Sequence, residues 1–342
     1  MPSAEHKSAV GANRILFILA ILLVAVATTS MILGHLYIAP GQILRIFAAN
    51  VLPMERTWSP AVESILLDVR LPRLMAGMLV GAGLSVSGAA FQGLFRNPLV
   101  SPHILGVSAG AGFGAALAIL FFGNIIAVQI LSFVFGLLAV LLTYCLSRVY
   151  RSTPVLMLVL SGIIVGALFS AGTSLIQYVA DPANEMPSIV FWLLGSLNNA
   201  SNRDMVVVAP IILVGITVLL LIRWQINLLA MGEEDARALG VDTTRIRATV
   251  ILCATMIAAA AVSIGGIIGW IGLVIPHIGR LLAGPDNKIL LPVTVLVGAA
   301  YLVAVDTIAR TAMAMEIPIG VLTSLVGAPI FAYLLRKNRS GW

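Results

Sequence analysis

Residues 248–284 read ATVILCATMIAAAAVSIGGIIGWIGLVIPHIGRLLAG, and this stretch decides how often the chain crosses a membrane. One span needs about 20 apolar residues, so the stretch is long enough for nearly two. Gly265, Gly266 and Gly269 lie near its middle, and clustered glycines destabilise a continuous helix. The pattern therefore predicts two short spans, 248–266 and 267–284, rather than one long helix.

The rest of the chain is also strongly apolar. Its 342 residues are 60% hydrophobic and only 10% charged, with a mean hydropathy of +1.07. A soluble domain carries about 25% charged residues. This composition argues against soluble enzymes, nucleic-acid-binding proteins and disordered scaffolds, despite the pI of about 9.7. Cys145 and Cys253 lie apart in apolar runs, so we interpret them as packing residues rather than zinc ligands or a disulfide.

Apolar runs recur along the chain and predict about ten spans in a single domain, residues 1–342. They lie at about 15–34, 72–94, 104–122, 125–147, 154–179, 205–222, 248–266, 267–284, 290–309 and 318–335. With ten spans both termini share a side, and 14 of the 20 Lys and Arg residues fall on that side. Because cytoplasmic loops are rich in Lys and Arg, we expect both termini in the cytoplasm of a bacterium or archaeon. The protein is predicted to be an all-α, multi-pass protein of the cytoplasmic (inner) membrane.

Glycines four residues apart recur in the predicted spans, and this spacing lets helix backbones approach closely in lipid. Packing within one subunit is the expected use, and a dimer interface is the alternative. The glycines are Gly77, Gly81, Gly106, Gly110, Gly114, Gly162 and Gly166.

Charged residues are missing from the middle of the predicted spans. Ion-coupled carriers usually place such residues at membrane depth, so that class is disfavoured. Asp306 and Arg310 are the nearest exceptions, and their spacing favours a surface ion pair. The sequence also shows no metal-ligand cluster, no nucleophile–base pair and no GxxxxGK phosphate loop. Energy for uphill transport would therefore have to come from another chain.

The longest predicted cytoplasmic segment is 223–247, RWQINLLAMGEEDARALGVDTTRIR. Acidic residues begin a short helix in this segment, where they suit the helix dipole, and Gly240 is the expected residue after its C-terminus. Leu228, Leu229 and Met231 would form an exposed apolar patch that needs a partner. Docking is therefore predicted, with a solvated loop as the alternative. The docking residues are Leu228, Leu229, Gly232, Glu233, Glu234, Asp235, Arg237, Leu239 and Gly240.

The segment GEEDARALGV (232–241) resembles the coupling loop of ABC importer permeases for iron-siderophore, haem and cobalamin. Similar motifs follow the family's order along nearly the whole chain, although LVSP (99–102) stands where the family commonly has LADP or LAEP. These motifs are RLPR (70–73), NPLVSPHILGVSAGAG (97–112), WLLGSL (192–197), GLVIPHIGR (272–280), AVDTIAR (304–310) and PIGVLTSLVGAP (318–329).

The resemblance implies a type II ABC importer permease fold and a multi-subunit assembly. A second permease copy or a paralogue would complete a central path through the lipid bilayer. Two ATPase subunits would dock on the coupling loops, and an extracytoplasmic substrate-binding protein would dock outside. The chain itself would hold no cofactor or metal and would not be an enzyme, because the ATPase binds ATP and Mg²⁺.

Three arginines on the predicted outer side carry a further implication. In the family, arginines that match Arg70, Arg73 and Arg310 meet glutamates of the binding protein, and Arg–carboxylate pairs fix orientation. The alternatives are anchoring at the membrane interface for Arg70 and Arg73, and pairing with Asp306 for Arg310.

The resemblance also places the fifth span along the path, with a gate near the connection between spans four and five. Ser152 and Thr153 would then lie at the gate, and Ser161 and Ser170 along the wall. The alternative for Ser152 is a helix cap before Pro154. The expected cargo is an iron chelate (ferric siderophore or haem) or a cobalamin-type compound, and an oxyanion is the alternative.

Overall fold

The computed structural model describes residues 4–34, 36–53, 55–148 and 155–337, and the regular structure in these ranges is all helical. This confirms the predicted all-α class. A π-helical turn, Ile65–Arg70, joins α3 to α4, and a 3₁₀ turn, Pro102–Leu105, precedes α5. The helices are α1 (Ala4–Ile32), α2 (Pro40–Ala49), α3 (Pro60–Ser64), α4 (Leu71–Phe95), α5 (Val107–Phe121), α6 (Ile125–Ser147), α7 (Val155–Val179), α8 (Glu185–Leu194), α9 (Asn202–Leu221), α10 (Arg223–Met231), α11 (Glu233–Ala238), α12 (Thr243–Gly265), α13 (Ile271–Ala283), α14 (Asn287–Thr311) and α15 (Ile319–Lys337).

Seven helical segments in the described ranges are long and apolar enough to cross a membrane. They lie in α1, α3–α4, α6, α7, α9, α12 and α14. Helices α5, α13 and α15 coincide with three further predicted spans but are shorter apolar helices. The structure therefore confirms a multi-pass helical architecture, and the count of ten spans stays a prediction.

The glycine cluster in the opening stretch ends a helix, as predicted. Helix α12 stops at Gly265, and α13 begins at Ile271 after a non-helical segment. Gly266 has φ +66°, and a β-carbon there would collide with the carbonyl oxygen of Trp192. Glycine is the residue that tolerates both conditions, because it has no β-carbon.

Helix α4 is the centre of the bundle. In its candidate span, 83% of the 18-residue apolar stretch is buried, compared with 17% in α1. Gly81 and Gly88 face the backbones of α14 and α13, where a β-carbon would collide with the carbonyl oxygens of Gly298 and Gly272. Gly110 and Gly114 of α5 likewise face the backbone of α6. Packing within the subunit therefore explains these glycines. Gly166 differs, because a β-carbon there would meet open space.

Helices α4 and α14 connect two opposite ends of the molecule. Arg73 at the start of α4 contacts Asp306 near the end of α14. At the other end, α4 finishes beside α10, and α14 begins there through a contact of Asn287 with Asn227. Because α4 has 25 residues, these ends are roughly 37 Å apart.

Candidate functional site

Helices α10 and α11 form a helical hairpin, residues 223–240, beside the end of α4 and the start of α14. Gly232 turns the chain between the two helices, and α11 begins with three acidic residues. At its end the Gly240 N–H donates to the carbonyl of Arg237 (2.9 Å), and the Val241 N–H donates to that of Ala236 (3.0 Å). This bond pair with Gly240 at φ +81° is a Schellman C-cap. The predicted terminating glycine is confirmed.

The prediction of an exposed apolar patch on this hairpin is wrong for Leu228 and Leu229. Leu228 and Leu229 are only 5% and 4% exposed, and they belong to the main hydrophobic core. They face inward because α10 lies against α4, and its apolar side covers the end of the bundle. Met231 is exposed as expected, at 64%, and the other exposed large apolar side chains of the hairpin are Leu239 at 62% and Trp224 at 51%.

Polar contacts fix the hairpin to the bundle. Arg96 of α4 donates to the carbonyl of Leu229 (3.2 Å), and Asn227 donates to Asp286 (2.6 Å). These contacts tie α10 to the end of α4 and the start of α14.

Helix α11 is tied to the start of α12. Glu233 forms an ion pair with Arg247, and Arg237 Nε donates to Thr243 Oγ1 (3.0 Å). Glu234, Asp235 and Arg237 remain exposed to solvent. The hairpin thus combines a fixed base with a charged and apolar outer surface.

At the opposite end, Arg73 lies at the centre of a buried ion cluster. Its Nε donates to both carboxylate oxygens of Asp306 (3.0 and 3.1 Å). Its Nη1 and Nη2 donate to Glu316 (2.9 and 3.0 Å), and Nη1 also reaches Asn198 (3.3 Å). Asp306 also lies 3.7 Å from Arg310 Nε. The predicted Asp306–Arg310 pair is therefore present, but it is buried rather than on the surface.

Arg70 and Arg310 cap the C-terminal end of α1. Arg70 Nη1 donates to the carbonyls of Met31 (2.6 Å) and Ile32 (3.2 Å). Arg310 donates to the carbonyl of Ser30 and, at 2.8 Å, to that of Leu33. The last carbonyls of a helix lack partners within it, and a cation at that end also suits the helix dipole.

The three arginines therefore differ from the expectation of outward-facing docking residues. Arg70, Arg73 and Arg310 are only 6–7% exposed and have internal partners. Two sequence signals could have indicated this: Arg70 and Arg73 lie at the beginning of a long apolar segment, and Arg310 follows Asp306 by one helical turn.

Helix α7 presents an exposed stripe of small side chains. Ala167, Ser170 and Ser174 lie along it at intervals of three and four residues. The helix contains no charged residue from Val155 to Val179. Ser170 thus faces outward, as a wall residue would, whereas Ser161 is 4% exposed and faces the bundle, contrary to expectation. Ser152 and Thr153 lie outside the described residues.

A glycine junction joins three helix ends and was not predicted. The Ser196 N–H donates to Gly265 O (2.9 Å), and the Ile319 N–H donates to Gly195 O (2.9 Å). These bonds bring together the end of α8, the end of α12 and the start of α15. A β-carbon on Gly320 would collide with the carbonyl of Leu194. The only sequence signal was the glycine in each of the motifs WLLGSL and PIGVLTSLVGAP.

A cleft of about 760 Å³ opens beside this junction. Its polar lining includes Asn184, Ser188 and Asn198, together with the carboxylates of Glu185 and Glu316. Among the described residues, no Lys or Arg lines it. Its electrostatics therefore favour neutral polar or cationic groups over anions.

Comparison with known proteins places this geometry among transport permeases. The sequence model of the FecCD transport family matches residues 20–337. The molybdate import system permease protein MolB of Haemophilus influenzae is 41% identical over 328 residues, which cover 96% of this chain and 97% of that protein. The cobalamin import system permease protein BtuC of Halobacterium salinarum is 42% identical over 291 residues, or 85% of this chain and 78% of that protein.

A solved structure has the same fold. It is described as an inward-facing conformation of a metal-chelate type ABC transporter, and it superimposes with a TM-score of 0.85 at 40% identity. The match covers 95% of this chain and 99% of that one.

Proposed function

The chain belongs to the FecCD transport family and is an ABC importer permease, and from that membership we propose that it carries an iron chelate or a cobalamin-type compound. The iron chelate would be a ferric siderophore or haem. The cargo would pass from an extracytoplasmic binding protein into the cytoplasm. The chain is a multi-pass protein of the inner membrane and is not an enzyme, because a separate ATPase subunit hydrolyses ATP.

The observation that supports a chelate is the uncharged stripe on α7. Ala167, Ser170 and Ser174 offer small and hydroxyl groups without a charge. A large amphiphilic chelate can slide along such a wall, whereas a tight site would slow its release.

The α10–α11 hairpin is proposed to couple the permease to its ATPase. Met231 and Leu239 offer apolar contacts, and Glu234, Asp235 and Arg237 offer charged ones. The base of the hairpin is bonded to the end of α4 and the start of α14. A movement of the ATPase would therefore pass to two long helices together.

The proposed assembly has two permease subunits, two ATPase subunits and one binding protein. Closed homo-oligomers most often have twofold symmetry, and the exposed side of α7 would face the second permease copy or a paralogue across the path. Both termini and the hairpin would lie in the cytoplasm, and the arginine cluster would lie on the outer side.

Uptake by the reconstituted complex tests the cargo. Proteoliposomes would contain the permease and its ATPase, with the binding protein added outside and ATP enclosed. Separate titrations would use a ferric siderophore, haemin, cyanocobalamin and molybdate. ATP-dependent uptake of one of the chelates is expected, and uptake of molybdate alone would overturn the chelate proposal.

A variant with a matched control tests the α7 stripe. Ser170→Phe places a large side chain on the stripe and should lower chelate uptake without lowering ATP hydrolysis. Val206→Phe makes a similar enlargement on α9, where Val206 is 75% exposed, and should leave uptake unchanged. Equal uptake by both variants would exclude the stripe from the path.

A second candidate cargo is a molybdate-type oxyanion. The observation that favours it is the similarity to MolB, which extends over 96% of this chain. The titration above distinguishes the two cargo classes, because each is offered separately to the same complex.

A further inference from the structure

The segment that follows α1 exposes apolar side chains outside the candidate spans. Helix α2 is apolar on two sides. Ile43 and Ile46 are buried on one side, at 8% and 0% exposure. Leu44, Phe47 and Val51 are exposed on the other, at 70%, 36% and 84%. Their spacing of three and four residues aligns them in one stripe along the helix and the turn that follows it.

Chain connectivity places α2 at the level where the spans end. It follows Ile32, the last residue of α1, and precedes the apolar segment that begins at Pro60. Ile43 and Ile46 share a hydrophobic cluster with Met31, in the last turn of α1, and with Leu74, in the first turn of α4. The helix therefore lies beside the outer turns of the bundle, at the arginine-cluster end of the molecule.

The apolar stripe of α2 continues the exposed apolar surface of α1. Val24 on α1 is 65% exposed, and Leu36 and Tyr37 in the connection to α2 are 43% and 66% exposed. An exposed apolar face on a spanning helix of a membrane protein meets lipid. Because the stripe on α2 continues that surface, we expect the stripe to meet lipid as well.

We infer that α2 is an interfacial membrane helix, whose Leu44–Phe47–Val51 stripe lies among lipid acyl chains near the headgroups. An amphipathic helix of this kind lies in the plane of the membrane with its apolar side buried in the acyl boundary. Tyr37, Arg45 and Arg56 suit the headgroup level, where aromatic and basic side chains concentrate. Arg56 is 68% exposed, and its Nη1 lies 3.6 Å from Glu63.

Membrane insertion of α2 would also fix the end of α1. Arg70 donates to the carbonyl of Leu36, in the connection between α1 and α2. An anchored α2 would therefore hold this carbonyl in place for Arg70. The inference concerns the membrane surface, so it is independent of the cargo proposed above.

Site-directed fluorescence tests the inference on the full chain in lipid nanodiscs. Cys145→Ala and Cys253→Ala give a cysteine-free background, and Leu44→Cys and Val51→Cys receive an environment-sensitive NBD label. Thr57→Cys is the matched control, because it is exposed in the same connection but outside the stripe. Size-exclusion chromatography shows whether each labelled protein remains intact.

Labels at 44 and 51 should emit at shorter wavelength than the label at 57. Lipids with a nitroxide high on the acyl chain should quench them, and aqueous iodide should not. The label at 57 should show the reverse. Iodide quenching at 44 and 51 equal to that at 57 would overturn the inference. If protection at 44 and 51 appears only after the binding protein is added, the stripe is a protein interface and the inference is also wrong.

A nitroxide at Phe47→Cys gives an independent measurement on a third position of the stripe. Its collision rate with oxygen, which concentrates in lipid, should exceed its collision rate with a water-soluble nickel chelate. The opposite order would overturn the inference.

Discussion

Arg73 and Asp306 lie 233 positions apart in the sequence and form a two-point ion pair inside the helix bundle. Their side chains are only 7% and 4% exposed. The pair joins the start of α4 to the end of α14, and Glu316 extends it to the connection before α15. Removing one partner of a buried pair leaves an uncompensated charge, which costs about 3–5 kcal/mol.

The first prediction concerns this pair. Asp306→Asn removes the carboxylate that faces both Arg73 and Arg310 and leaves their charges in the bundle. The free energy of unfolding should fall by about 3–5 kcal/mol, measured by chemical denaturation in detergent. Asp68→Asn is the control, because Asp68 is exposed and exposed substitutions usually change stability by less than about 0.5 kcal/mol. Similar losses in the two variants would show that the buried pair contributes nothing specific.

The second prediction separates capping from docking for Arg70 and Arg310. Arg70→Glu and Arg310→Glu should each lower the yield of folded permease before any binding protein is present. The reason is that the carbonyls at the end of α1 would lose their donors and face a negative charge. Size-exclusion chromatography and thermal unfolding measure this loss, with Arg203→Glu, at an exposed position at the start of α9, as control.

The docking hypothesis for these arginines expects a different result. Folded variants with normal stability that fail only to capture the binding protein would support docking and contradict the capping role. Rescue of capture by a binding protein with Lys in place of Glu would support docking further.

Local sequence features predicted the parts of the fold that depend on local chemistry. The glycine cluster broke the long apolar stretch because Gly266 has φ +66° and approaches the carbonyl oxygen of Trp192 too closely for a β-carbon. Gly240 ended α11 because its φ of +81° suits glycine. The ordered motifs identified the family for a related reason, since each motif is a contiguous segment.

Features that depend on distant partners were not predictable in the same way. Leu228 and Leu229 were expected to be exposed, because the segment that packs over them, the end of α4, is more than a hundred positions away in the chain. The hydrogen bonds of Arg70 and Arg310 to the end of α1 were not predictable, because backbone carbonyls have no sequence signature. The interfacial position of α2 was missed as well, because it is too short for a span.

The third prediction concerns topology. With ten spans, cysteines at solvent-exposed positions of residues 40–65 outside the Leu44–Phe47–Val51 stripe, and of residues 182–202, should react with a membrane-impermeant maleimide from outside intact cells. Cysteines in 96–100, 230–244 and 338–342 should react only after the membrane is opened. The Cys145→Ala and Cys253→Ala background removes the native thiols. Labelling of 338–342 from outside would exclude ten spans with both termini in the cytoplasm.

The last prediction concerns the outer surface of the α10–α11 hairpin. Met231→Asp with Leu239→Asp should abolish co-purification with the ATPase and ATP-driven uptake, because the two most exposed apolar side chains of the hairpin become charged. The permease should stay folded, since neither side chain packs in the core. Leu228→Asp with Leu229→Asp should instead unfold it, because a charge would replace each buried leucine. Met313→Asp is the control at the opposite end of α14, where Met313 is 62% exposed, and it should bind the ATPase normally. If the Met231→Asp, Leu239→Asp variant binds the ATPase as well as the Met313→Asp variant does, the hairpin surface is not the docking site.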